Sequence, residues 1–129
     1  MENVISKIRK SNVGVRQYID PNIILKGVCD YYHIGVDELK EGTRKPEVIK
    51  RRQITMRLLK LHTKLTLRQI VGTLGLKSHA TAIHHLKKID NFLSDEPWRD
   101  IEIKSEYKQI MDKLKLKNYD TETNERNGH

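Results

Sequence analysis

Residues 66 to 90 read TLRQIVGTLGLKSHATAIHHLKKID, two short apolar-periodic segments on either side of a glycine. Thr66 and Gln69 have the spacing of a capping box, in which the Thr hydroxyl accepts from the backbone N–H three residues on and the Gln side chain reaches back. Leu65 and Ile70 occupy the positions of a hydrophobic staple, which fixes the angle at which the chain enters a helix. Gly75 follows Leu67, Ile70, Val71 and Leu74, where a helix ending in a left-handed residue favours glycine. Ser78 is placed to cap a second helix. A helix, a glycine turn and a second helix form a helix-turn-helix, which sets the N-terminal residues of its second helix against base edges in the major groove.

The charge of the chain is concentrated around this unit. Residues 1 to 39 hold 5 basic against 5 acidic side chains, 40 to 88 hold 13 against 2, and 89 to 129 hold 7 against 10. The middle third therefore carries +11 of a chain whose formal net charge is +8, the footprint expected for a phosphate backbone. By itself such a run is equally well a solvated basic surface; its coincidence with the helix-turn-helix favours nucleic acid. At 129 residues, 33% charged and 36% hydrophobic, the chain supports one small domain with a modest core. No apolar run approaches the ~20 residues needed to span a bilayer, and MENVISKIRK lacks the apolar core of a secretory signal. A cytoplasmic, nucleoid-associated location without a membrane partner is expected. Cys29 is the only cysteine, which excludes an intramolecular disulfide and a four-cysteine zinc site and suits inert packing in a helix.

Helical periodicity extends in both directions from the central motif. Residues 1 to 19 have no sustained period and read as an N-terminal arm, and the domain proper is expected over 20 to 116. Asp20 and Pro21 form an N-cap and first-turn pair, Ile24, Val28 and Tyr32 share a helical face, and Gly35 is expected to end that helix. Asp37, Glu38 and Leu39 suit one short turn before the basic loop EGTRKP, and Pro46 opens a longer helix to about His62 with Ile54, Leu58 and Leu61 as its buried stripe. In the second helix of the motif, Ile83, Leu86 and Ile89 are expected to turn inward. Pro97 and Asp100 signal a new start, and Ile103, Tyr107, Ile110 and Leu114 follow the spacing of an amphipathic helix that packs back on the domain. Residues 117 to 129 are polar and aperiodic, a disordered tail. No strand pattern appears, so the fold class is all-α.

Three segments have a more specific likeness: CDYYHIGVDEL at 29 to 39, KRRQITMRLLKLHTKLTLRQIVGTLG at 50 to 75, and LKSHATAIHHLKKI at 76 to 89, the last in the place of a GGRDHTTVLHA signature. From about Ile24 to Leu93, and more loosely to Leu114, the chain resembles the C-terminal DNA-binding domain of the bacterial replication initiator DnaA. The resemblance implies a Trp-repressor-like helical fold and double-stranded DNA as partner. It places Lys77, Ser78, His79, Ala80 and Thr81 at base edges, with His79 and Thr81 matching the signature. Arg44, assisted by Lys45, matches an arginine that enters the minor groove, where a narrow A·T-rich duplex concentrates negative potential. Arg52 and Gln53 match residues that hold the phosphate backbone; Lys50, Arg51, Lys60, Lys64 and Arg68 join them on charge alone. Ser78 stands where the family has an acidic residue and Ala80 where it has a hydroxyl, so altered reading at one or two base pairs is expected. Leu76 replaces the second glycine of the turn, and Lys77 replaces an arginine, keeping charge but losing a bidentate grip.

A full initiator also needs a phosphate-cradling loop of the G-x-x-x-x-G-K-[ST] type, and none is present, so no nucleotide, ATPase or other enzymatic activity is expected. His62, His84 and His85 do not offer the convergent ligands of a metal site, and no cofactor is implied. The chain reads as a stand-alone protein retaining only the DNA-binding part, a monomer on DNA acting at or competing for initiator boxes. Two alternatives stand beside this one. The first is an adaptor docking a replication protein through the 1 to 19 arm or the 98 to 116 helix; the second is a dimeric transcriptional repressor on palindromic half-sites.

Overall fold

A computed structural model describes residues 18–40, 44–94 and 101–116. They form six helices: α1 Pro21–Tyr32, α2 Val36–Lys40, α3 Pro46–His62, α4 Leu67–Leu74, α5 His79–Phe92 and α6 Ile101–Leu114. Among the described residues there is no strand, and the all-α expectation holds. The arm before Tyr18, the EGT of the basic loop, the Pro97 and Asp100 start and the tail from 117 lie outside the described residues.

The helix starts follow local chemistry. The Asp20 carboxylate accepts from the Asn22 amide at 2.9 Å with Pro21 in the first turn, as the sequence implies. Pro46 opens α3 without a side-chain cap. Three helix ends share one device. At His33, Gly75 and Lys115 the chain turns left-handed, and the next residue donates its amide five residues back: Ile34 to Cys29, Leu76 to Val71 and Leu116 to Met111. This is the Schellman motif, whose following residue is characteristically apolar and makes a hydrophobic contact. Ile34, Leu76 and Leu116 all pack against the core.

That device corrects the expectation that Gly35 ends α1. The helix stops two residues earlier, at His33 with φ 59°, because this register delivers Ile34 to the core. Histidine tolerates the left-handed region better than bulkier residues do. Gly35 instead donates its amide to the Glu38 carboxylate at 3.1 Å, at the entrance to α2.

Helix α3 is the axis of the domain, with α1, α2, α4 and α5 packed around it. Ile54, Met56, Leu58 and Leu59 are fully buried, a wider apolar surface than the single stripe expected, and Leu61 is only half-buried. Ile24 and Val28 of α1, Leu39 of α2, and Ile70 and Leu74 of α4 complete that core. Helix α6 closes it through Ile103, Tyr107 and Ile110, packing on α1. The approach is close at Gly27, where a Cβ would sit 2.6 Å from a Leu114 methyl carbon.

On α5 the sequence reading is half right. Ile89 is fully buried and Leu86 packs on the core, but Ile83 is 43% exposed and Ala82 takes the fully buried position. The inward line runs through 82, 86 and 89, as periodic as 83, 86 and 89. Where two packed helices approach closely, a small side chain fits the contact, and the larger Ile is left outside.

Candidate nucleic-acid interface

The turn and second helix have the geometry the sequence implies. Thr66 Oγ1 accepts from the Gln69 amide at 3.2 Å, and Gln69 Oε1 accepts from the Thr66 amide at 2.8 Å, a complete capping box. Gly75 stands at φ 66° and ψ 34°, with its Cα near enough to α2 that a Cβ would lie 3.3 Å from the Lys40 carbonyl. Ser78 is in extended conformation and its hydroxyl accepts from the Thr81 amide at 3.2 Å. The Ser78 and Thr81 hydroxyls are themselves 3.3 Å apart, so both belong to the cap before any ligand arrives.

Lys77, Ser78, His79 and Ala80 are exposed and Thr81 is half-buried, a projecting first turn. Neither α4 nor α5 has an acidic residue in its first turn. The positive ends of both helix dipoles are therefore left without a compensating carboxylate, which suits an anionic partner. Arg44 and Lys45 are exposed at the end of the basic loop, and Lys60, Lys64 and Arg68 are exposed as well. Lys64 lies over the Tyr18 ring at 5.7 Å.

The remaining basic side chains of α3 have internal partners. Arg52 is only 5% exposed, and its Nε donates to the Leu39 carbonyl at 2.8 Å, tying α3 to the end of α2. Burial pulls its guanidinium below the usual arginine range. Gln53 is 4% exposed and its amide pairs with His85 Nδ1 at 2.9 Å, tying α3 to α5. Lys50 Nζ lies 3.2 Å from Glu106 and 3.8 Å from Glu102 of α6. Arg57 pairs with Asp90 of α5 and donates to the Tyr107 hydroxyl of α6. The Arg51 guanidinium stacks 4.7 Å above the Tyr32 ring.

Lys50, Arg52 and Gln53, the residues expected at phosphates, thus each have a partner within the domain. Their side chains are buried or paired, because an arginine or glutamine beside an apolar core must find protein partners for its donors. Sequence reasoning also missed His85 as a structural partner. Burial first, then the neighbouring charges of His84, Arg52 and Lys88, hold its imidazole below the ordinary histidine range. Gln53 and His85 lie 32 positions apart, so no local motif signals the pair.

Burial also pushes up the Cys29 thiol, with Asp30 and Glu38 adding to the shift, as suits an inert packed cysteine. Among the described residues no group of three or more histidine, cysteine or acidic side chains is arranged to hold a metal. Nor is any helix among them long and apolar enough to cross a membrane.

An all-helical domain built on a capped, glycine-hinged pair of short helices, with the first turn of the second projecting between basic side chains, is a helix-turn-helix domain. A family model described as the bacterial dnaA protein helix-turn-helix matches residues 21–89, more than half of the chain. The chain belongs to this family. Chromosomal replication initiator proteins DnaA are among its curated relatives. That of Flavobacterium psychrophilum is 32% identical over 95 residues, 74% of this chain and 19% of the relative. That of Thermomicrobium roseum is 35% identical over 87 residues, 67% of this chain and 19% of the relative. The Rickettsia canadensis protein is 31% identical over 110 residues, 85% of this chain and 22% of the relative. The chain thus spans about a fifth of the length of these relatives. Family membership supports DNA binding as the role of the domain.

Proposed function

We propose that this chain reads duplex DNA with a sequence preference, as a monomer, at sites like the boxes bound in replication initiation, and that it does so without catalysis. The observation that carries this reading is the projecting first turn of α5. Lys77, Ser78, His79 and Ala80 are exposed together, in a segment whose net charge is +11, on a helix whose opposite face is anchored to the core. His79 presents an imidazole able to donate or accept at a base edge, and Thr81 offers a hydroxyl to a phosphate or base beside it. Arg44 and Lys45 would enter the adjacent minor groove, while Lys60 and Arg68 would meet phosphates. With Ser78 and Thr81 engaged in the cap, His79 is the side chain of that turn most available to discriminate between bases.

On α6, where the adaptor alternative would dock a partner, Ile103, Tyr107 and Ile110 are covered by the domain and Ile101 is 66% exposed. Selection of bound duplexes from a random library is the direct test. Enrichment of a short asymmetric motif supports a monomeric reader, palindromic half-sites would favour the repressor, and no enrichment refutes sequence preference. On the enriched site, His79→Ala should lose about 1 to 3 kcal/mol, and much less on random duplex.

A further inference from the structure

The outward face of α5 carries one large apolar side chain that the domain does not use. Ile83 is 43% exposed, whereas Ala82 and Ile89 on the same helix are fully buried. Successive helical residues point about 100° apart. With Ala82, Leu86 and Ile89 directed at the core, Ala80, Ile83, His84 and Lys87 fall on the opposite side, and all four are exposed.

The surroundings of Ile83 narrow down what would cover it. Residues 77 to 89 contain no acidic side chain and include Lys77, Lys87 and Lys88, so an anionic partner is favoured. A β-branched residue on a solvated helix face is also a poorer helix former than alanine or lysine would be, so local stability gives no reason for it. An anionic surface that presents a small apolar group to a helix describes the duplex major groove, where the C5-methyl of thymine is the distinctive apolar feature.

We propose that Ile83, together with Ala80 one turn before it, packs against a thymine methyl group in the major groove and is a specificity-determining residue of the recognition helix. This rests on the DNA-reading function proposed above and adds to it a defined contact. Ala80 is too short to hold a methyl group alone. Ile83 supplies the second wall, and the apolar pair shifts preference toward thymine at the base pair beneath it.

The test uses the full chain and the duplex enriched by library selection. Each thymine is replaced in turn by deoxyuridine, which removes the C5-methyl and keeps base pairing. For the wild type, one such replacement should weaken binding about three- to tenfold, the effect of returning one or two methyl-sized surfaces to water. Ile83→Ala should show a similar loss on the thymine duplex, no further loss on the deoxyuridine duplex at that position, and an unchanged unfolding midpoint. Equal responses of wild type and Ile83→Ala at every thymine would overturn the proposal while leaving sequence-specific binding intact. If no site is enriched at all, both this contact and the reading function fall. A concentration-dependent dimer abolished by Ile83→Ala would also overturn the proposal, by assigning the side chain to a second copy.

Discussion

Arg52 separates two roles that a basic residue in this segment can have, and substituting it tells them apart. As an anchor, its Nε donates to the Leu39 carbonyl at 2.8 Å inside a residue only 5% exposed. A hydrogen bond from a charged donor contributes about 1.5 to 3 kcal/mol, and the orphaned carbonyl costs about 1 to 3 kcal/mol, two estimates that overlap. Arg52→Ala should therefore destabilise the domain by about 2 to 4 kcal/mol. In a domain of this size each kcal/mol moves the melting temperature by about 4 to 8 °C, so a fall of roughly 8 to 32 °C is expected. Arg52→Lys keeps the charge but places its donor elsewhere, and should lose at least half of that stability. Far-UV circular dichroism during urea and thermal unfolding measures both variants. As a phosphate contact, Arg52 would instead behave oppositely: Arg52→Ala would lower the salt slope of DNA binding by about one, and Arg52→Lys would restore it. Two stable variants, each within about 0.5 kcal/mol of wild type, would refute the anchoring argument.

Gly75→Val should cost on the order of 1 to 2 kcal/mol through the left-handed penalty, because φ is 66°. It should cost more than the same change at Gly72, which has no atom within 4 Å of its would-be Cβ; chemical denaturation of the two variants gives the comparison. Lys50→Met should lower stability by about 1 kcal/mol through its half-buried pairing with Glu106, and leave the salt slope of DNA binding unchanged; a slope reduced by one would return Lys50 to the phosphate contacts. For pH, His85 has a folded-state pKa below its ordinary 6.5, so near and below that value the unfolded chain binds more protons than the folded one. Stability should fall as pH drops below about 6.5 and level off once pH passes the folded-state pKa. His85→Gln should flatten that part of the stability curve, and a curve unchanged by the substitution would contradict the cause assigned.

The legible parts of the fold were those encoded over a few neighbouring residues. The Asp20–Pro21 start, the Thr66–Gln69 box, the Gly75 turn and the Ser78 cap each depend on contacts within five positions, and all four are present. What the sequence obscured depends on where distant helices cross. Ala82 and Ile83 are both compatible with a buried line on α5, and hydrophobicity favours the wrong one, because a close contact between packed helices takes the smaller side chain. The end of α1 at His33 was hidden for a similar reason: Gly35 is the better left-handed residue, but stopping at His33 delivers Ile34 to the core. At the candidate interface the exposed turn at 77 to 80 was legible from its place after the glycine hinge. The internal partners of Lys50, Arg52 and Gln53 lie 13 to 56 residues away and leave no local signature.

Those distant pairs also give the basic side chains of α3 a role inside the domain. Apolar packing holds α3 against its neighbours but is non-directional, so it leaves the rotation of one helix about another weakly fixed. Directional bonds remove that freedom. Arg52 ties α3 to the carbonyl of Leu39, just before the loop that carries Arg44. Gln53 and Arg57 tie it to His85 and Asp90 along α5. Lys50 and Arg57 tie it to Glu106 and Tyr107 of α6. The end of the basic loop and α5 are thereby referred to one frame, and the separation between Arg44 and the exposed turn at 77 to 80 becomes a property of α3. If this is how the two readers are kept in register, Gln53→Leu should lower affinity for the enriched site more than for random duplex, although Gln53 itself carries no charge. An equal loss on both would make Gln53 a phosphate contact instead, and no loss on either would show that α5 is held well enough by packing alone.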